Sequence, residues 1–102
     1  QQSSYPGARA PHAWLESGKS TLDLFGHGLV LLNFQNQKVT NLEKACQSQN
    51  VPLKAYSIDN QAIAKLYEKA YVLVRPDGHV AWRGDELPKD PGAVIDRIRG
   101  YF

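Results

Sequence analysis

The chain has 102 residues, enough for one compact domain and too few for a second autonomous core. With 42% hydrophobic and 22% charged residues it reads as an ordinary globular chain, which excludes wholesale disorder. Its formal net charge of +2 is spread along the sequence, so no dedicated surface for nucleic acid or membrane is expected.

The longest apolar run, Leu29 to Leu32, is far too short to cross a bilayer. Cys46 is the single cysteine, which excludes an internal disulfide, a CxxC couple and a cysteine-rich zinc site. The chain opens Gln1-Gln2 and contains no methionine, so it reads as a piece of something longer or a processed product. No basic leader followed by an apolar core opens it, and a cytoplasmic setting is expected.

Pro6 and Pro11 each fix φ and push the preceding residue towards extended geometry, so Gln1 to Trp14 reads as an arm lying on a surface. Leu22 and Leu24 alternate with Thr21 and Asp23, which predicts a short strand over Ser20 to Phe25. Gly26-His27-Gly28 breaks the chain, and Leu29 to Phe34 reads as a strand buried on both faces. Thr40-Asn41-Leu42-Glu43 fits a capping box, with Leu42, Ala45 and Cys46 on one helical face before Pro52. Leu53 to Ile58 predicts a second core strand. Asp59 or Asn60 then caps a helix whose stripe is Ile63, Leu66, Tyr67 and Ala70.

Two β-rich runs from Tyr71 to Arg83 flank Pro76-Asp77-Gly78, where Pro presets φ, Asp bonds its own backbone and Gly accepts a positive φ. That is a hairpin. Asp90-Pro91 supplies the cap and first residue of a last helix with the stripe Val94, Ile95, Ile98 and Tyr101. Helices between the early strands demand parallel pairing, whereas the hairpin is antiparallel. The economical solution is an α/β domain with a mixed sheet flanked by helices and a C-terminal hairpin and helix. In about a hundred residues that means a thioredoxin-like domain, here residues 16–102, preceded by an arm over residues 1–15.

Such a scaffold invites a redox reading, and the residues oppose it. A low-pKa thiolate belongs at the helix N-terminus after the first core strand, where this chain has Gln35-Asn36-Gln37-Lys38. The strand before the hairpin is entered through Ala70-Tyr71 instead of a proline. Cys46 lies on an apolar stripe and reads as a core thiol. Gly26-x-Gly28 opens a strand where a dinucleotide fingerprint would open a helix, and Leu31 stands in place of the third glycine. His12, His27 and His79 sit in separate segments without metal-ligand spacing. Asp85, Glu86 and Asp90 read as solvated loop carboxylates, and Arg97 and Arg99 as cations complementing a helix dipole. No catalytic, cofactor-binding or metal-binding residue emerges.

The arm carries the one functional signal. Tyr5, Arg9, His12 and Trp14 bring directional chemistry to a segment stiffened by two prolines, and such residues are enriched at interface hot spots. They are the candidate interface; the bland alternative is an arm that packs only on its own sheet.

Three blocks in order, Pro6 to Leu15, Ser20 to Gly26 and Leu73 to Arg83, resemble the C-terminal thioredoxin-like domain of FAD-dependent aromatic-ring hydroxylases, the phenol hydroxylase-like flavoprotein monooxygenases. The resemblance implies a parent enzyme that hydroxylates a phenolic or related ring with FAD, NAD(P)H and O₂. It implies that this part is a non-catalytic accessory domain, holding no cofactor itself. Its partners would be the parent's FAD-binding and substrate domains and, in some members, a second subunit. A free-standing binding module on the same scaffold is the alternative. An unrecognised small enzyme would need a cleft assembling His12 or His79 with Asp77 or Asp85.

Overall fold

A computed structural model describes residues 6–16, 19–26 and 28–101, the side chains of Glu16, Lys19 and Tyr101 excepted. Two apolar runs without polar alternation need cover on both faces, and they take the centre of the sheet. These are β3 (Leu29–Asn33) and β5 (Tyr71–Val74), buried along their whole length. They pair antiparallel, with Leu31 opposite Leu73. Outside them lie β4 (Leu53–Ser57), parallel to β3, and β6 (Val80–Gly84), antiparallel to β5. The sheet order is β4-β3-β5-β6. Three helices, α1 (Thr40–Ser48), α2 (Gln61–Tyr67) and α3 (Pro91–Ile98), complete the thioredoxin-like architecture that the element order predicts.

Side chains alternate across a strand, and the two central strands use that alternation to feed two cores. Leu29, Leu31, Tyr71 and Leu73 join Leu42 and Cys46 of α1 and Ile95 of α3. Val30, Leu32, Val72 and Val74 join Ile63 and Tyr67 of α2 on the opposite face. α2 is only about 10 Å long, so it leaves part of that face bare. The N-terminal segment covers the remainder: Ala10 and Leu24 are buried there, with Ala13, Leu15 and Phe25 packed against them.

The arm reaches that position by running along β6. Gly7 N donates to Val80 O, Val80 N to Ala8 O and Ala10 N to Gly78 O, each at 2.8 Å, with Arg9 opposite His79. It therefore closes a sheet edge that would otherwise expose unpaired backbone groups. A separate two-stranded ribbon follows, β1 (Trp14–Glu16) against β2 (Lys19–Ser20). β1 straddles the sequence boundary drawn between residues 15 and 16.

The hairpin and both late helix starts follow their local chemistry. Gly78 has φ +85°, His79 N donates to Asp77 Oδ1 at 3.0 Å, and Arg75 N bonds His79 O at 2.8 Å. Asn60 Oδ1 accepts from Ala62 N and Ile63 N, and Asp90 Oδ1 from Ala93 N.

Three expectations need correction. Ser20 to Phe25 is not a strand, because Thr21–Leu24 forms a 3₁₀ helix after the brief β2. Asp23 Oδ2 accepts from Ser20 N at 2.8 Å, and 3₁₀ spacing puts Thr21 and Leu24 inward while Leu22 is left exposed. The Thr40–Glu43 capping box is not formed: Val39, buried in the core, takes the cap position, so the helix begins one residue early and Thr40 falls inside it. β4 is an edge strand with no buried residue, only Leu53 and Tyr56 being half-buried, and its core contribution is correspondingly small.

Candidate functional site

The single thiol is buried in the core. Cys46 lies on the inner side of α1, 1% exposed, within the α1/α3 core. Burial, reinforced by the nearby Glu43 carboxylate, pushes its pKa up to about 11, so the thiol keeps its proton at neutral pH. The junction between β3 and α1, where a reactive thiol would be activated, carries Gln35, whose backbone N bonds Asn33 Oδ1, and Asn36 at φ +54°.

Gly28 explains itself without phosphate. A Cβ there would lie 3.1 Å from both Cβ and O of Pro52, and Leu29 N donates to the same Pro52 O at 3.0 Å. With φ +113° as well, the glycine lets the start of β3 approach the turn before β4. His27 of this turn lies outside the described residues.

Of the four candidate interface residues, Tyr5 also lies outside the described residues; the other three fall on one face. Arg9 and His12 line a groove of about 880 Å³ together with Leu22 and Phe25 from the 3₁₀ segment and Pro76 and Asp77 from the hairpin turn. Trp14 adjoins them, its ring edge-on to His12 at 5.0 Å between centroids. Trp14 is 64% exposed and Leu22 47%, the exposed large apolar side chains among the described residues. Leu22, Phe25 and Pro76 read in the sequence only as strand and turn residues, because nothing in their local pattern signals that three distant segments meet.

The arm is fastened rather than laid loosely on the surface. Pro11 O accepts from Thr21 Oγ1 at 2.9 Å and from the Tyr67 hydroxyl, both bonds buried. Thr21 Oγ1 in turn accepts from Ala13 N at 3.0 Å. Burial pushes the Tyr67 pKa up to about 12, partly offset by its hydrogen bond with Thr21, so the phenol remains a donor.

The groove holds a histidine, His12, and a carboxylate, Asp77, and the carboxylate is already engaged by its neighbours. The Arg75 guanidinium donates to both oxygens of Asp77 and, with the His79 backbone N–H, holds that carboxyl well below the usual range. A carboxylate so stabilised is a weak base. His79 Nδ1 faces Asp77 Oδ1 at 3.3 Å, while Asp85 lies at the far end of the hairpin beside Lys69. Among the described residues, those lining the groove include no Ser, Thr, Cys, Lys or Tyr to act as nucleophile. Among the described residues no three His, Cys, Asp or Glu cluster as a metal site, and no helix is long and apolar enough to cross a membrane. Asp90 caps α3, and Arg99 pairs with Asp96 at 3.1 Å on the surface.

The fold is a thioredoxin-like domain with a core thiol and an apolar, arginine-edged groove. The chain belongs to the aromatic-ring hydroxylase C-terminal family, whose profile matches residues 3–101. It is similar to the substrate-free structure of the rebeccamycin biosynthetic enzyme RebC, at 51% identity and a TM-score of 0.96, covering all of this chain and 20% of that one. A second solved relative is aklavinone-11 hydroxylase in complex with FAD and aklavinone, at 34% identity and a TM-score of 0.71, covering 90% of this chain and 20% of that one. The FAD-dependent monooxygenase apdD of Emericella nidulans is 35% identical over 94% of this chain and 17% of its own length. The chain thus spans about a fifth of the length of the relatives it matches.

RebC has also been solved with reduced flavin. A dinucleotide needs a glycine-rich turn opening a helix, so that its phosphates meet the helix N-terminus. Here Gly26 and Gly28 lead into a strand, Pro52 fills the space beside Gly28, and α1 opens from Gln35-Asn36-Gln37-Lys38-Val39. These residues do not fit a flavin.

Proposed function

We propose that the chain is the terminal accessory domain of a flavin-dependent monooxygenase that hydroxylates a phenolic or related aromatic ring, with FAD and NAD(P)H held by the preceding domains. In that enzyme the domain performs no redox step and binds no cofactor; it packs against the FAD-binding and substrate parts and, in an oligomer, against a second subunit. The observation that carries this reading is the placement of Cys46 on the inner side of α1, enclosed by α3 and the sheet. The family match and the flavin enzymes among its relatives support the parent's chemistry.

Thiol–disulfide exchange tests the absence of redox activity. The chain and its Cys46→Ser variant should reduce a small disulfide substrate at the same rate as buffer between pH 7 and 8, because a protonated, buried thiol does not attack. Turnover that disappears with Cys46→Ser would refute the accessory role.

A further inference from the structure

We infer that the groove between the arm, the 3₁₀ segment and the hairpin turn is the seat of the parent's own preceding catalytic part, an inference that rests on the reading that such a part exists. The exposed large apolar side chains of the described residues, Leu22 and Trp14, lie in or beside this groove and nowhere else. Arg9 supplies a cation on its rim, and the Arg75–Asp77 pair fixes the shape of its far wall.

The choice of occupant follows from the tether. The buried bonds to Pro11 O pin the arm, so whatever precedes Gln1 is tethered within reach of that point. Even at full extension the residues from Gln1 to Ala8 span at most about 25 Å. The relatives are about five times longer than this chain, and the matched family is the C-terminal one, so the remaining length enters through this arm. A tether that short places whatever precedes it at an effective concentration on the order of millimolar. An apolar face at that concentration is covered by its own polypeptide before a second copy can reach it.

Hydrogen exchange on the full-length parent and on the 102-residue chain tests this. Segments 22–26 and 76–78 should exchange about tenfold more slowly in the parent. Leu22→Lys with Trp14→Ser should remove that protection in the parent, while the 102-residue chain with the same pair keeps its melting temperature within about 2 °C, since both residues are exposed. Equal exchange in parent and chain overturns the proposal. So does protection that fades on dilution of the parent to a monomer, which would make a second copy the occupant. Undiminished groove protection in a parent that hydroxylates no ring would instead sink the functional reading and leave the docking in place.

Discussion

Thr21→Val is expected to lower the stability of the chain by about 2–3 kcal/mol, a large loss for a hydroxyl-to-methyl exchange. Valine fills the same volume, so packing is kept and the effect is that of the hydrogen bonds. Thr21 is fully buried, donates to Pro11 O and accepts from Ala13 N. Without its hydroxyl the Ala13 N–H loses that acceptor in a part-buried place, while Pro11 O keeps the Tyr67 phenol. Tyr67→Phe alone should cost only about 1 kcal/mol for the mirror-image reason. The double variant should cost more than the two singles together, because Pro11 O then loses both partners. Urea unfolding of all four proteins measures this; a Thr21→Val loss below about 0.5 kcal/mol would mean that the Thr21 hydroxyl does not fasten the arm.

Gly28→Val should be the other severe change, at about 3–4 kcal/mol. A side chain there must adopt φ +113° and also displace Pro52, whose carbonyl anchors the first residue of β3. Gly78 is the internal control. Its φ of +85° carries the same kind of strain, but nothing lies within 4 Å of a Cβ placed there, so Gly78→Val should cost about 1–2 kcal/mol. Denaturation midpoints decide the order. If Gly78→Val proves the more damaging, the close approach of β3 to Pro52 is not what fixes Gly28.

Pro76-Asp77-Gly78 and Asp90-Pro91 act through their own backbones, so their turn and cap were legible locally. The buried runs at β3 and β5 were legible because each lacks any polar alternation. Ser20 to Phe25 misled, since four residues satisfy period two and period three almost equally. The deciding signal was Ser20-Thr21-Leu22-Asp23, a capping pattern that puts the polar Thr21 inside and the apolar Leu22 outside. Thr40 misled in the opposite sense, as burial of Val39 outweighed the side-chain cap. Tyr67 on an apolar stripe hinted at a partner for its hydroxyl, but which partner depended on a fold that brings Pro11 across 56 positions of sequence. The groove was half legible: Arg9, His12 and Trp14 announce themselves as interface chemistry, whereas Leu22, Phe25 and Pro76 acquire meaning only when three segments converge.

Flavin binding is the most direct test of the proposal that this domain, from a family of flavoenzymes, holds no flavin itself. FAD is titrated into the 102-residue chain while flavin fluorescence and the melting temperature are followed. No saturable change in either is predicted, because both glycines before β3 serve backbone approach and turn geometry and, among the described residues, no helix presents a phosphate cradle. Saturable binding in the micromolar range, on the order of 8 kcal/mol, would contradict the account.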